Sequence, residues 1–251
     1  MSAPALEARG LVRRFGGLLA TDDVSFSVQP GARQALIGPN GAGKTTLINL
    51  LTGVVKPNEG AVLLQGEDVT MLSSNKRVRR GLARTFQINQ LFPDLSPAES
   101  LGLAISERNE SGKDFWRVAG GKPIIVAEIE NLLTRFGLEA SMDQPTRTLP
   151  YGKQRLLEIA LALACKPKVL LLDEPAAGVP EEERHDILAA LAALPADVAI
   201  LLIEHDMDLV FNFATRISVL VAGHLLCEGE PDAIAKDERV RAVYLGEDAH
   251  G

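Results

Sequence analysis

A glycine-rich turn between an apolar run and a helix-forming segment constrains this chain more than any other feature. The turn reads GPNGAGKTT over residues 38–46, after QALI and before LINLLTG. Small residues let successive backbone N–H groups wrap around a β-phosphate, Lys44 can reach β- and γ-oxygens, and the Thr45 hydroxyl can bind Mg²⁺. Because a strand and a helix flank it, we interpret the segment as a phosphate-binding loop rather than as a chance match. The loop comprises Gly38, Pro39, Asn40, Gly41, Ala42, Gly43, Lys44, Thr45 and Thr46.

Three apolar runs that end abruptly in polar residues predict the central strands of a parallel sheet. Runs that are apolar on both faces suit buried parallel strands, and functional side chains collect at the carboxyl ends of such strands. The runs are QALIG (residues 34–38), VLLLDEP (169–175) and VAILLIEHD (198–206).

Two acidic residues and a histidine stand at the ends of these runs. Asp173 and Glu174 are adjacent on one strand and face opposite ways, so they cannot share one task. We assign Asp173 to a magnesium ion, and Glu174 to a base that orients or deprotonates an attacking water. His205, at the end of the third run, can donate a hydrogen bond to a γ-phosphate or to that water.

Other parts of the chain show a different periodicity. The stretches VSFSV (residues 24–28) and AVLLQG (61–66) alternate with period two, which predicts half-buried antiparallel strands. Between about Asp94 and Thr148 the pattern turns helical. The segment SPAES begins a helix there, with Ser96 as its N-cap, a proline in the first turn and a glutamate that closes a capping box.

The charge balance argues against a surface that coats nucleic acid. Lysine and arginine number 26 against 33 aspartates and glutamates, a net charge of -7. The basic segment NKRVRR (residues 75–80) is interpreted as the solvated face of a helix. Cys165 and Cys227 have no CxxC or Cys/His spacing, which predicts reduced, structural thiols in a cytosolic protein.

One apolar stretch, residues 187–203, invites a membrane interpretation. It contains Pro195 and Asp197 and is shorter than the roughly 20 apolar residues that a bilayer crossing needs, so a helix, a turn and a buried strand are predicted instead. The N-terminus lacks the pattern of a signal peptide. We expect a soluble chain that contacts a membrane through a partner.

These residues, in this order, resemble the ATP-binding subunit of an ABC transporter over nearly the whole chain. The resemblance implies that Phe15 stacks on adenine, that Gln87 is the Q-loop glutamine, which engages magnesium and water, and that His205 is the switch histidine. Residues 176–180 (AAGVP) correspond to the D-loop. The signature motif reads LPYGKQ and places Pro150, Tyr151, Gly152, Lys153 and Gln154 at a nucleotide.

The resemblance also implies a fold class and cofactors. The expected fold is an α/β P-loop NTPase of the ABC type, with a central mostly parallel sheet, an N-terminal antiparallel β subdomain and a helical subdomain. We expect a single domain over residues 1–251, the helical subdomain at about 94–165 and a short C-terminal helical tail at 231–251. The expected activity is ATP hydrolysis coupled to transmembrane transport, with ATP and Mg²⁺ bound.

The family arrangement explains why the chain has two helix starts that face phosphates. Two ATP-binding subunits face head to tail, and each ATP lies between the phosphate-binding loop of one and the signature helix of the other. This chain departs from the usual LSGGQ, because Pro150 replaces the serine and Tyr151 a glycine. Val179 and Pro180 stand where the D-loop usually reads LD. We therefore expect unequal ATP sites in a heterodimer, while the direction of the Lys153 amine stays open.

Several segments resemble the branched-chain amino acid importer group: YGKQRLLEIALAL, EPAAG, LIEHDMDLV and VRAVYLGED. This resemblance implies a second ABC ATPase subunit, a paralogue, as partner, together with transmembrane permease subunits and, indirectly, a solute-binding protein. No nucleic acid partner is expected, and the chain would lie peripherally at the cytoplasmic face of the cell membrane. Similar systems carry amides, urea and aromatic acids.

Two alternatives stay open on the sequence. A non-transport ABC ATPase acting on nucleic acid or ribosomes would usually show a tandem cassette or a long coiled-coil insertion, and neither occurs here. A GTPase would need an NKxD motif, and the nearest string, NKRV, has Val78 at the acidic position. For the transporter we expect a permease docking segment after Gln87, with apolar residues Ile88, Leu91, Phe92 and Leu95.

Overall fold

The protein is described here by a computed structural model that covers residues 3–85, 91–109 and 123–245. The chain divides into two compact units. The first comprises residues 1–82, 168–174 and 196–251, and the second 83–167 and 175–195.

Ten strands and nine α-helices are formed by the described residues. The strands are β1 (Leu6–Phe15), β2 (Leu18–Val28), β3 (Arg33–Ile37), β4 (Glu59–Leu64), β5 (Glu67–Asp68), β6 (Leu82–Arg84), β7 (Val169–Asp173), β8 (Ala199–Ile203), β9 (Arg216–Val221) and β10 (His224–Gly229). The helices are α1 (Lys44–Thr52), α2 (Ser74–Val78), α3 (Pro97–Arg108), α4 (Pro123–Arg135), α5 (Tyr151–Ala164), α6 (Glu181–Ala192), α7 (Met207–Phe213), α8 (Pro231–Lys236) and α9 (Glu238–Leu245). Short 3₁₀ turns occupy Glu139–Ser141 and Thr146–Thr148.

The described strands form an antiparallel sheet and a mostly parallel sheet. The antiparallel sheet has the order β2-β1-β4-β5, which confirms that both period-two stretches are strands. The other has the order β10-β9-β3-β8-β7-β6, in which β3 is parallel to both β8 and β9, and β7 is parallel to β8. The three apolar runs therefore form adjacent parallel strands, as predicted.

The parallel sheet separates two apolar cores, and β3 contributes to both. Leu36 packs in the cluster that contains the apolar residues of α1 and of the antiparallel sheet. Its neighbours Ala35 and Ile37 pack in the opposite cluster, with residues of α7, α8 and α9. Because successive strand residues point to opposite faces, a run that is buried on both sides has to be continuously apolar.

The basic segment at residues 75–80 is not only a solvated helix face, and the prediction is wrong at one position. Arg77 is fully buried, while Lys76, Arg79 and Arg80 are exposed. The Arg77 guanidinium donates to the carbonyl oxygens of Leu50, at 2.7 Å, and Leu51, at 2.5 Å.

These two carbonyls belong to the last turn of α1, where carbonyl groups lack partners within the helix and carry the negative end of its dipole. A third bond from Arg77, of 2.7 Å, reaches the carbonyl of Thr70. Burial lowers the pKa of Arg77 to about 10, and the charge of Asp68 partly offsets that effect. The arginine therefore stays charged at neutral pH and caps the helix.

The second unit is built on helices, and its first helix begins as predicted. Ser96 Oγ accepts a hydrogen bond from the Glu99 N–H, and the Glu99 carboxylate accepts one from the Ser96 N–H at 2.8 Å. At the other end of α3, Arg108 forms two bonds with Glu128 of α4, at 2.7 and 2.9 Å. It also donates to the carbonyl of Ala164, at the end of α5. The pair raises the pKa of Arg108 and lowers that of Glu128.

The apolar stretch at residues 187–203 folds as predicted. Its first part lies in α6, a turn follows at Pro195, and its last part is β8, which is buried throughout. Within the described ranges, no helix has the length and apolar character that a membrane span requires. Cys165 and Cys227 are both free, and burial is the main cause that raises the pKa of each thiol.

Arg77→Met should lower the free energy of unfolding by about 2–4 kcal/mol, because buried carbonyls at the end of α1 lose their charged donor. Lys76→Met, on the same short helix but exposed, is the matched control and should change it by less than about 0.5 kcal/mol. Urea denaturation followed by circular dichroism measures both. Equal stability of the two variants would contradict the capping role.

Candidate nucleotide-binding site

The phosphate-binding loop follows β3 directly and ends in the first turn of α1. Gly43 has a φ of 100° and precedes the helix, and a Cβ there would lie 2.4 Å from the Ala20 carbonyl oxygen. Gly41 also has a positive φ, of 77°, but a Cβ there would meet nothing within 4 Å. Packing thus requires glycine at position 43, whereas the space beside Gly41 is open to a ligand.

Lys44 turns back over the loop. Its Nζ donates to the carbonyl oxygens of Gly38, at 2.5 Å, and Pro39, at 3.0 Å. Of the next two residues in the first turn of α1, Thr45 is exposed and Thr46 is half-buried. The loop thus has a lysine charge and a first-turn hydroxyl, which are the groups that phosphate and Mg²⁺ binding would use.

The turn between β9 and β10 supports the loop from the side. The Gly223 N–H donates to the Ala42 carbonyl at 2.9 Å, and the Gly223 carbonyl accepts from the Asp22 N–H of β2 at 2.9 Å. One glycine thereby joins the loop to the antiparallel sheet. This fixes the loop backbone without occupying its open side.

Strand register places the other predicted residues at the same edge. Leu36 of β3 is paired with Ile203 of β8, and Ile203 is paired with Asp173 of β7. The phosphate-binding loop, Glu174 and His205 therefore begin one or two residues after this row of three paired residues, at the same edge of the sheet. Asp173 is buried at the end of its strand.

Glu174 has an unusual backbone. Its φ is 47°, in the left-handed region that residues with a Cβ rarely adopt, at a cost on the order of 1 kcal/mol. Its N–H donates to the carbonyl of Ile203 at 2.9 Å. The strand therefore ends at Asp173, and the backbone of Glu174 leaves the extended conformation while it still bonds to β8.

His205 lies beside Glu174, and a second carboxylate is present that our sequence analysis missed. His205 Nδ1 is 3.9 Å from Glu174 Oε1 and 3.8 Å from Glu204 Oε2. The histidine side chain is 66% exposed, whereas that of Glu204 is 1% exposed. The only signal for Glu204 in the sequence was its place in LIEHD, directly before the histidine.

Phe15 ends β1 and is exposed, so its ring is available to an adenine base. The guanidinium of Arg13 lies 4.5 Å from the ring centroid, within the range of a cation–π contact. Arg13 also donates to the Lys56 carbonyl at 3.0 Å. The sequence analysis had not singled out Arg13, which supports one face of the ring.

The signature helix α5 begins with its atypical residues. Pro150 is the N-cap residue and makes no side-chain capping bond. The Gly152 N–H donates to Glu183 Oε2 at 2.8 Å, and a Cβ on Gly152 would lie 2.1 Å from that oxygen. A carboxylate thus already binds at this helix start, and only glycine admits it.

The side chains of two further signature residues bind main-chain carbonyls. Lys153 Nζ donates to the Gly137 carbonyl at 3.0 Å, which settles the direction of its amine. Gln154 Nε2 donates to the Leu149 carbonyl at 3.0 Å. The first bond reaches a segment before the signature motif, and the second reaches the residue that directly precedes the N-cap of α5.

The structure brings together the phosphate-binding loop, Asp173, Glu174 and His205, and it has Phe15 in the same unit. The signature residues and the D-loop segment 176–180 belong to the second unit. Gln87 lies outside the described residues.

The residues fit a nucleotide with Mg²⁺. Thr45 and Asp173 offer the oxygen ligands that Mg²⁺ prefers, and Mg²⁺ is usually held by one or two carboxylates together with substrate phosphates. Among the described residues, no group of three or more His, Cys, Asp or Glu side chains is placed to hold a metal by itself. The donor set therefore suits a cation that arrives with phosphate.

Comparison with known proteins identifies the family. The model of the ABC transporter family matches residues 21–177. The chain belongs to the ABC transporter family. A second model, described as branched-chain amino acid ATP-binding cassette transporter, matches residues 224–250.

Relatives of known description cover nearly the full chain. The high-affinity branched-chain amino acid transport ATP-binding protein BraF of Pseudomonas aeruginosa is 38% identical over 98% of this chain and 100% of its own length. The corresponding protein LivG of Escherichia coli K12 is 39% identical, with the same coverage. These matches confirm the predicted family and the ATPase class of this ABC transporter subunit.

Solved structures confirm the fold. A nucleotide-free ATP-binding cassette of an ABC transporter has a TM-score of 0.83 and 31% identity, covering 96% of this chain and 98% of that one. An ATP-binding cassette in its ADP conformation has a TM-score of 0.82 and 32% identity, covering 98% and 100%. The predicted α/β P-loop NTPase fold of the ABC type is thus confirmed, and the non-transport alternative finds no support.

Proposed function

We propose that this ABC ATPase energises a membrane importer for branched-chain or related amino acids from the cytoplasmic face of the membrane. Its partners would be a paralogous ATPase, permease subunits and, indirectly, a solute-binding protein. The observation that carries the ATPase site is the alignment of the phosphate-binding loop, Asp173, Glu174 and His205 at one sheet edge. The substrate class rests on the named relatives and on the match at residues 224–250.

In this proposal each residue at the sheet edge has a separate task. Bound ATP supplies the γ-phosphoryl group, and Mg²⁺ neutralises its developing charge. The Lys44 amine exchanges its two loop carbonyls for phosphate oxygens, while Thr45, Asp173 and Gln87 hold the cation. Glu174 orients or deprotonates the attacking water, and the His205 ring donates a hydrogen bond to the γ-phosphate or the water.

The signature helix would bind the nucleotide of the partner subunit. A helix start with free N–H groups favours anions, and the Glu183 carboxylate on the Gly152 N–H is an anion at that place. We infer that a phosphate oxygen replaces this carboxylate when the two ATPases associate. Because Pro150 offers no hydroxyl, this site would be the weaker of the two, which favours a heterodimer.

Glu174→Gln should retain ATP binding and reduce hydrolysis by about a hundredfold or more, because the amide cannot act as a base. Lys44→Ala should instead weaken nucleotide binding, since the phosphates lose a cation. Titration with a fluorescent ATP analogue and phosphate release from the assembled transporter separate the two effects. Hydrolysis at the wild-type rate by the glutamine variant would remove Glu174 from this role.

Glu183→Gln should tighten ATP-dependent association with the co-purified ATPase partner by about threefold or more, because a neutral amide competes less with phosphate for the Gly152 N–H. Glu182→Gln, an exposed neighbour on α6, is the control. Sedimentation velocity of the pair at graded ATP concentrations measures the difference. The same association constant in both variants would show that the carboxylate does not compete.

Phe92→Ala should weaken permease association and uncouple transport from hydrolysis, while nucleotide affinity changes little. Ile88 lies outside the described residues; of the other three apolar residues of this segment Phe92 is the most exposed, at 58%, whereas Leu91 and Leu95 are half-buried, so we assign it as an anchor for a partner. Ile124→Ala, which removes a still more exposed apolar side chain of the same unit, is the control. A pull-down and a vesicle transport assay measure the effect. Normal binding and transport by the folded Phe92→Ala protein would leave this segment a packing role only.

A further inference from the structure

The tip of the β1–β2 hairpin carries the phenylalanine to which we assign the nucleotide base. Phe15 is the last residue of β1, and Leu18, its cross-strand partner, is the first residue of β2. The two glycines between them add no side chain, and a Cβ on either would meet nothing within 4 Å. Exposed side chains change rotamer within nanoseconds. Because Phe15 is 44% exposed at an open tip, its ring needs a contact that fixes it.

Arg13 supplies such a contact. Its guanidinium carbon lies over one face of the Phe15 ring, 4.5 Å from the ring centroid. The π face of an aromatic ring is negative and attracts a cation at this distance. A planar ring has two faces, so a base that stacks on Phe15 has to use the face away from Arg13.

A segment that follows α1 holds the arginine in place. A terminal nitrogen of Arg13 donates to the Lys56 carbonyl at 3.0 Å. The same segment is bonded to β1 at two more points: the Asn58 N–H donates to the Val12 carbonyl, and the Arg14 N–H donates to Asn58 Oδ1, both at 2.8 Å. The protein itself thus fixes the guanidinium, so little additional side-chain entropy is lost when a base stacks on the ring.

The charge of Arg13 is not shared with an acid. Among the residues that the structure describes, its side chain has a main-chain carbonyl and an aromatic ring as partners and no carboxylate. The cation therefore draws π-electron density toward its own face of the ring, which lowers the electron repulsion between the opposite face and a stacked purine. The same charge would also attract phosphates, so an experiment has to separate the two effects.

We propose that Arg13 is a positioning residue for the nucleotide base: it holds the Phe15 ring with one face open, so that its contribution to ATP affinity passes through the base and not through the phosphates. This rests on the proposed stacking of Phe15 on adenine. Every base has a π face, and stacking alone tolerates all of them. Arg13 therefore favours nucleotides over bare polyphosphates and does not by itself select adenine.

Isothermal titration calorimetry of the full chain with ATP and with tripolyphosphate, each with Mg²⁺, separates the base from the phosphates. Arg13→Met keeps an apolar stem and removes the cation, and it should weaken ATP binding about threefold while tripolyphosphate binding stays unchanged. Arg14→Met is the matched control, because Arg14 is exposed and carries the same charge; it should change neither affinity. Equal weakening for both ligands would place Arg13 at the phosphates and overturn the proposal, as would an unchanged ATP affinity.

Arg13→Lys tests the contribution of the cation in a conservative variant. It retains a positive charge for the ring and a donor for the Lys56 carbonyl, so it should recover most of the ATP affinity that Arg13→Met loses. An affinity as low as that of Arg13→Met would overturn the assignment to a cation over the ring.

A double-mutant cycle shows whether the effect passes through the phenylalanine. Phe15→Ala should weaken ATP binding about tenfold and leave tripolyphosphate binding unchanged, because the stacked base loses its ring. In the Phe15→Ala background, Arg13→Met should have no further effect on ATP affinity. The same threefold loss in that background would overturn the proposal for Arg13. Full ATP affinity of Phe15→Ala would instead refute the stacking role of Phe15 itself, which distinguishes that failure from a failure at Arg13.

Discussion

The hydrogen-bonded register of three parallel strands is the constraint on which the site depends. Leu36, Ile203 and Asp173 lie side by side on β3, β8 and β7, and neighbouring strands are about 4.8 Å apart. The chain therefore leaves the sheet three times at one edge, once into the phosphate-binding loop and once each toward an acid and a histidine. Backbone pairing thus brings residues that are far apart in sequence to the same edge of the sheet.

Helices α1 and α5, whose N-terminal ends suit phosphate, each have an arginine bound at the C-terminal end. Arg77 binds the last carbonyls of α1, and Arg108 binds the carbonyl of Ala164 at the end of α5. A helix that presents free N–H groups to an anion also has free carbonyls at its other end. A cation there satisfies those carbonyls and interacts favourably with the negative end of the helix dipole. Each helix thus suits an anion at its N-terminus and has a cation at its C-terminus.

The sequence predicted what local pattern determines and missed what distant contacts determine. The parallel strands were predictable because they are apolar on both faces, and the start of α3 because Ser96 and Glu99 are three residues apart. Arg77 was misread because its partner carbonyls lie 26 and 27 residues earlier in the chain. Glu204 was missed because its burial depends on tertiary packing. The direction of the Lys153 amine stayed open because its acceptor lies 16 residues away, on another segment.

One departure from the usual family pattern, Tyr151, packs against the D-loop segment. The Tyr151 ring, which stands in place of a signature glycine, lies 3.3 Å from where a Cβ on Gly178 of the D-loop segment would be. Gly178 has a positive φ of 73°, so backbone conformation and space both favour glycine there. The Arg155 guanidinium, 5.2 Å from the same ring centroid, adds a cation–π contact. The larger signature residue is therefore packed between a D-loop glycine, which leaves room for the ring, and an arginine of its own helix.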